Sequence, residues 1–108
     1  KLCAEDILVI GSGHLTHNLR DWARGQGEPA PYAREFQAWV FDRLNEHDLD
    51  TLADYRSRSL HGVRAHPTDE HFLPLFFALG AASAPPRAER VYDAIDAGVL
   101  AMDAYVFS

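Results

Sequence analysis

Hydrophobic positions divide the chain into short apolar runs that are separated by polar or glycine-rich stretches. The first run, residues 7–10 (Ile-Leu-Val-Ile), is apolar on both faces and predicts a buried strand. Gly11 and Gly13 follow it and allow a sharp turn of the backbone. Thr16 is then placed to cap a helix whose apolar residues fall on one face. This order of strand, glycine turn and helix predicts an α/β unit.

Three further elements follow from the same pattern. Residues 33–44 carry apolar side chains at helical spacing and predict an amphipathic helix, and Asp48 is placed to cap a second, shorter one. Residues 73–82 predict a helix that is too hydrophobic to be exposed on all sides. The last apolar run, residues 98–107, predicts a strand. Polar or Gly/Pro-containing connections are expected over residues 25–31, 56–64 and 83–87.

Composition narrows the class of protein. The chain has 108 residues, which suits one small domain, and its 47% hydrophobic content argues against disorder. The net charge is -6 and Lys1 is the only lysine, so neither a nucleic acid nor an anionic membrane is expected as a partner. Cys3 is the only cysteine, which excludes an internal disulfide. With no signal peptide or bilayer-spanning run in view, we expect a cytoplasmic protein.

The segment over residues 66–75 combines histidines and carboxylates before an abrupt change to apolar residues. If Thr68 caps the turn that follows, His71 lies in the first helical turn, where the helix dipole favours the neutral imidazole that binds metals. Pro74 has no backbone N–H and cannot donate the helical hydrogen bond to the Glu70 carbonyl, so this turn should be irregular. Spacing alone favours the simpler interpretation, a capped helix start with a solvated acidic turn.

The histidines after the first glycine turn are equally ambiguous. His17 could act as a base that faces a cleft, or it could donate a hydrogen bond to a loop carbonyl. His14 lies in a loop that could point in any direction. The Gly-Ser-Gly at residues 11–13 lacks the third glycine of a dinucleotide-binding turn and the flanking glycines of a hydrolase nucleophile. Neither of those functions is therefore expected.

Taken together, the two segments resemble a known family. Residues 10–19 read Ile-Gly-Ser-Gly-x-x-Thr-His-Asn-Leu, and residues 66–82 read His-Pro-Thr-x-Glu-His-Phe-Leu-Pro-Leu-x-x-Ala-Leu-Gly-Ala-Ala. In this order, with a Trp-containing helix between them, they resemble the class III extradiol ring-cleavage dioxygenases. The similarity is to the DOPA-dioxygenase-like branch, which is related to the catalytic subunit of protocatechuate 4,5-dioxygenase. It covers nearly the whole chain, including the final strand.

The resemblance implies an α/β fold in which residues 1–108 are the C-terminal segment of a single sheet-and-helix catalytic domain. It also implies a non-haem Fe(II) ion, or zinc in its place, and a catecholic substrate. Dioxygen would open the ring of that substrate at a bond next to the two hydroxyls. Two metal ligands would belong to an N-terminal half that is absent here. The chain alone is therefore expected to be inactive, to need that half or a partner chain, and to self-associate. The alternative is a non-catalytic α/β interaction or structural domain that keeps the fold without the chemistry.

The resemblance also implies roles for particular residues. His71 corresponds to the third metal ligand, with Glu70 as the alternative because more distant relatives use a glutamate. His17 corresponds to the active-site base. Three further residues are candidates for positions beside the ligands or against the substrate: His14, His66 and Asn18.

Overall fold

The computed structural model describes residues 2–24 and 27–108, in which helices precede two small antiparallel sheets. Lys1 and part of the predicted 25–31 loop, Gly25 and Gln26, lie outside the described residues. A 3-10 turn covers Cys3–Glu5. The helices are α1 (Leu19–Trp22), α2 (Pro31–Asn45), α3 (Leu49–Ala53), α4 (Tyr55–Arg58), α5 (Gly62–Ala65) and α6 (Leu73–Ala81). The strands are β1 (Ala88–Tyr92), β2 (Ile95–Asp96), β3 (Leu100–Ala101) and β4 (Ala104–Phe107). This mixture of helices and small sheets confirms the predicted α/β class.

Helix α2 forms the centre of the core, as its amphipathic pattern predicts. Phe36 and Val40 are fully buried on its inner face, and Leu44 continues that face. Pro31 begins the helix at a position where its missing N–H needs no partner. Leu52 from α3 and Phe72 from the turn before α6 are buried in the same cluster. The long helix therefore holds together the short elements that follow it.

The segment after α2 contains more helix than the sequence predicts. The expected cap at Asp48 is confirmed, since its side chain accepts a hydrogen bond from the Thr51 backbone N–H at 3.3 Å. The polar connection predicted over residues 56–64 is wrong, because α4 and α5 occupy most of it. Gly62 and Ala65 are buried in α5, and such short helices have too few apolar positions for periodicity to reveal them.

The end of the chain forms two pairs of strands. Strand β1 pairs antiparallel with β4, and β2 pairs antiparallel with β3. The strand predicted over residues 98–107 is therefore two strands, interrupted near Asp103. The Asp103 carboxylate accepts a hydrogen bond from the Gln37 side chain at 2.6 Å, which ties this break to α2. The linker expected over residues 83–87 lies before β1, which the sequence pattern does not predict.

The strand predicted over residues 7–10 is wrong for the described part of the chain. These residues are extended but pair with no described strand, and the Leu8 and Ile10 side chains are 82% and 75% exposed. A strand needs a neighbour for its backbone groups, and the described residues offer none beside this segment. The expected cap at Thr16 is also wrong: Asn18 caps α1, which has only four residues and buries none of them.

Helix α6 confirms the apolar helix predicted over residues 73–82. Leu79 is buried, whereas Phe77 remains 65% exposed and Leu73 50% exposed. The helix thus presents apolar side chains that no described residue covers. Among the described residues, no helix is long and apolar enough to cross a membrane.

Candidate metal centre

The segment that carries the first histidines, residues 14–18, is fixed from two sides by hydrogen bonds. On one side the buried Thr16 hydroxyl donates to the Val99 carbonyl at 2.6 Å and accepts from the Ala101 N–H at 2.7 Å. On the other side the His17 N–H donates to the Ala65 carbonyl at 2.8 Å. The backbone around His17 is therefore held between the β3 region and the end of α5.

His71 lies in an irregular turn that precedes α6. Thr68 does not cap the helix, because its hydroxyl donates to the Glu70 carboxylate at 2.8 Å and the helix begins only at Leu73. Phe72 anchors the turn, because its ring is buried and packs against the Tyr55 ring with centroids 4.7 Å apart. The irregular turn that the sequence predicts is thus present, but a buried aromatic side chain holds it in place.

Gly13 brings the two histidine segments together. The His14 N–H donates to the His71 carbonyl at 2.9 Å. A Cβ atom at Gly13 would collide with that same carbonyl oxygen, so only glycine permits this approach. Gly13 has no positive φ, unlike Gly27 and Gly98 among the described residues. Close backbone contact is the role that the structure gives to Gly13.

Three imidazoles meet at this contact. The His17 and His71 rings stack with centroids 3.5 Å apart, so the residues to which the resemblance gives the roles of base and ligand lie side by side. The His14 ring lies 5.3 Å from the first and 6.0 Å from the second. Each ring offers a nitrogen within 4.8 Å of those of the other two. Imidazole nitrogen suits several transition metals, so this donor set fits a metal ion.

The electrostatics around His17 favour its neutral imidazole. Burial lowers the pKa of His17, and the neighbouring His71 and His14 lower it further. A neutral histidine can accept a proton or bind a metal, whereas its protonated form can do neither. Glu70 is exposed and stands outside the group of three ligand nitrogens. Hydrogen bonds from its own backbone N–H and from Thr68 lower the pKa of its carboxyl.

His66 and Asn18 hold the backbone of the two segments. The fully buried His66 donates from Nε2 to the Leu15 carbonyl at 2.7 Å, and burial lowers its pKa to about 4. The Asn18 side chain accepts from two N–H groups at the start of α1 and donates to the Arg64 carbonyl at 2.8 Å. Both side chains thus bond to main-chain atoms next to the imidazole cluster.

A cleft of about 450 Å³ begins at the cluster. Its walls are the extended segment 7–15, helix α6 and strand β4, and both His14 and His71 line it. Cavities of this size accept small organic molecules, and their walls are typically apolar with a few polar groups. Two of the three imidazoles, those of His14 and His71, therefore face a space with room for an aromatic compound.

The fold and the histidine cluster agree with a comparison against known families. Residues 2–101 match the family described as the catalytic LigB subunit of aromatic ring-opening dioxygenase, and the chain belongs to this family. The resemblance that the two motifs indicate is thereby confirmed.

Several curated relatives carry the name 4,5-DOPA dioxygenase extradiol. The chain is 37% identical to the protein of that name from Portulaca grandiflora over 99% of its length, and 32% identical to that from Beta vulgaris over 96%. It is 32% identical to the Escherichia coli protein over 91%. It spans only about 40% of the length of these relatives.

Proposed function

We propose that the chain is the C-terminal part of an extradiol dioxygenase that opens the ring of a catecholic substrate with dioxygen. The observation that carries this proposal is the meeting of His17 and His71, with ring centroids 3.5 Å apart, in a chain of the LigB family. The name that these relatives share makes 3,4-dihydroxyphenylalanine (DOPA) the first substrate to test. The adjacent cleft of about 450 Å³ has room for an aromatic ring.

We assign His71 as a metal ligand, with Glu70 as the alternative, and His17 as the base. Fe(II), or zinc in its place, is the proposed ion, and bound Fe(II) would supply a centre that takes both the catechol and dioxygen. His17 suits its role because its lowered pKa leaves it neutral and ready to accept a proton from a substrate hydroxyl. The mostly apolar walls of the cleft would surround an aromatic ring bound beside His14 and His71.

The supporting residues have proposed roles as well. His66 donates to the Leu15 carbonyl, directly beside His14, and so fixes the backbone that carries the cluster. Asn18 caps α1 next to His17 and limits how that histidine can move. We propose that His66 and Asn18 position the two motifs, and that His14 lies close enough to meet the ion or the substrate.

We further propose that the rest of the family domain covers the exposed apolar surface. Leu8, Ile10 and Phe77 are 82%, 75% and 65% exposed, and burial of one such side chain stabilises a protein by roughly 1.5–3 kcal/mol. Because the chain spans about 40% of its relatives, the remaining part of the domain is the natural occupant. Without it, the chain should be inactive and should self-associate. The single cysteine supports the cytoplasm as the proposed location.

The test is ring opening by the protein that contains the whole family domain. The protein is loaded with Fe(II) without oxygen and is then mixed with 3,4-dihydroxyphenylalanine and isotopically labelled dioxygen. We expect a ring-opened product that contains both labelled oxygen atoms, and loss of turnover in His17→Asn. His47→Asn is the matched control, since His47 is exposed and its φ of 55° is one that asparagine tolerates.

The outcome separates the proposal from its alternative. Failure of the iron-loaded protein to open this or any other catechol would favour a non-catalytic interaction or structural domain. Full turnover in His17→Asn would contradict the assignment of the base while leaving the reaction class intact.

A further inference from the structure

A third histidine, His14, stands beside the two to which the proposed function gives roles. Position 14 is unspecified in the motif over residues 10–19, so the resemblance assigns it no ligand role. The His14 Nδ1 is buried and has no hydrogen-bond partner among the described residues. Buried polar atoms of folded proteins normally have a partner, and an orphaned one calls for an explanation. A bound ion would provide that partner.

We propose that His14, His17 and His71 together bind one divalent first-row metal ion within this chain, without ligands from elsewhere. The inference rests on the proposed function in one respect, namely that this end of the cleft is a metal centre. Three histidines with an open fourth position form a well-known zinc site in other proteins, and cobalt and nickel accept the same ligands. The new element is His14, which makes the site complete in a chain that spans about 40% of its relatives.

The geometry requires only side-chain movement. The three ligand nitrogens lie within 4.8 Å of one another. Bonds of about 2.0–2.1 Å to a tetrahedral ion place nitrogens about 3.4 Å apart, so the nitrogens must approach one another by up to about 1.4 Å. Rotation about side-chain bonds can provide this movement, and it must also open the stacked His17–His71 pair. The backbone is already fixed by the 2.9 Å hydrogen bond from the His14 N–H to the His71 carbonyl.

In the longer protein the same site would have further ligands. The family resemblance implies two histidines from the other half, which would share the ion with His71. His17 would then be free to act as the base, and His14 would remain as an additional imidazole beside the ion. Metal binding by the chain alone and turnover by the longer protein are therefore separate observations.

Titration of the 108-residue chain with Co²⁺ tests the inference directly. Visible absorption reports the coordination of Co²⁺, and calorimetry with Zn²⁺ gives the stoichiometry and affinity. We expect one ion per chain and loss of the cobalt bands in His14→Asn. Because loss of a group that merely supports a ligand weakens binding by about 10–100-fold, loss of a ligand should cost about 100-fold or more. His47→Asn should bind as the unaltered chain does.

Long-range ¹H–¹⁵N spectra of the imidazoles keep the test independent of variant folding. In the unaltered chain, Zn²⁺ should shift the ring nitrogens of His14, His17 and His71 and leave those of His47 unchanged. Equal affinity in His14→Asn, or His14 nitrogens that do not respond to Zn²⁺, would overturn the proposal. Either result would leave the proposed function untouched, since that depends on turnover by the longer protein.

Discussion

Acidification should destabilise this fold through His66. The side chain is fully buried, and its pKa is lowered from 6.5 to about 4, chiefly by burial. Between these two values the unfolded chain binds a proton at His66 that the folded chain does not, so stability falls as the pH falls. The contribution is complete above pH 6.5 and is lost by about pH 4. The difference corresponds to roughly 3 kcal/mol of unfolding free energy.

Urea unfolding at a series of pH values, followed by circular dichroism, measures this effect. Other groups also titrate in this range, and His17, whose pKa is lowered too, acts in the same direction. The informative quantity is therefore the difference between the unaltered chain and His66→Gln, whose amide can still donate to the Leu15 carbonyl. We expect the variant to lose less stability on acidification, by roughly 3 kcal/mol. The same pH dependence in both proteins would refute the reasoning.

Three further predictions concern the neighbours of the site. Thr16→Val leaves the Val99 carbonyl and Ala101 N–H without their buried partner and should cost about 2–4 kcal/mol in urea unfolding, whereas Thr16→Ser should cost less. Gly13→Ala should cost about 1–3 kcal/mol and weaken Co²⁺ binding, because its Cβ meets the His71 carbonyl. Gly80→Ala, whose Cβ has no neighbour within 4 Å, is the control, and equal effects would contradict the packing argument. The chain should self-associate, as measured by light scattering, and Leu8→Asp should reduce that self-association. A chain that stays a stable monomer would contradict this prediction.

The elements that the sequence predicts well are those whose stability is largely local. Helix α2 shows its amphipathic pattern over several turns, and α6 is apolar through most of its length. The cap at Asp48 depends on an N–H three residues away. In each case the residues that decide the structure are close together in the sequence, so their spacing is sufficient.

The errors arise where distant residues decide the structure. Thr16 has the local character of a helix cap, yet its hydroxyl bonds to Val99 and Ala101, more than 80 positions away. Residues 7–10 have the composition of a strand, but a strand forms only beside a partner. Strand β1 depends in the same way on its pairing with β4. Sequence patterns do not contain such pairings.

The candidate site was predictable in part. The resemblance implies that His71 is a ligand and His17 the base, and the structure stacks the two rings. The resemblance does not predict where His14 lies. Its position depends on the backbone hydrogen bond to His71 and on the close approach that Gly13 permits. The sequence makes His66 a candidate for a position beside the metal ligands. Its buried hydrogen bond to the Leu15 carbonyl joins residues far apart in the chain, so the sequence does not reveal it.

The central claim, that His71 binds the metal and His17 moves the proton, is tested most directly by parallel measurement of iron content and turnover. The measurement uses the protein with the whole family domain, as His17→Ala and His71→Ala. We expect His17→Ala to keep most of its iron but lose ring opening of a catechol, and His71→Ala to lose iron and turnover together. Equal loss of iron in both variants, or full iron content in His71→Ala, would contradict this division of roles.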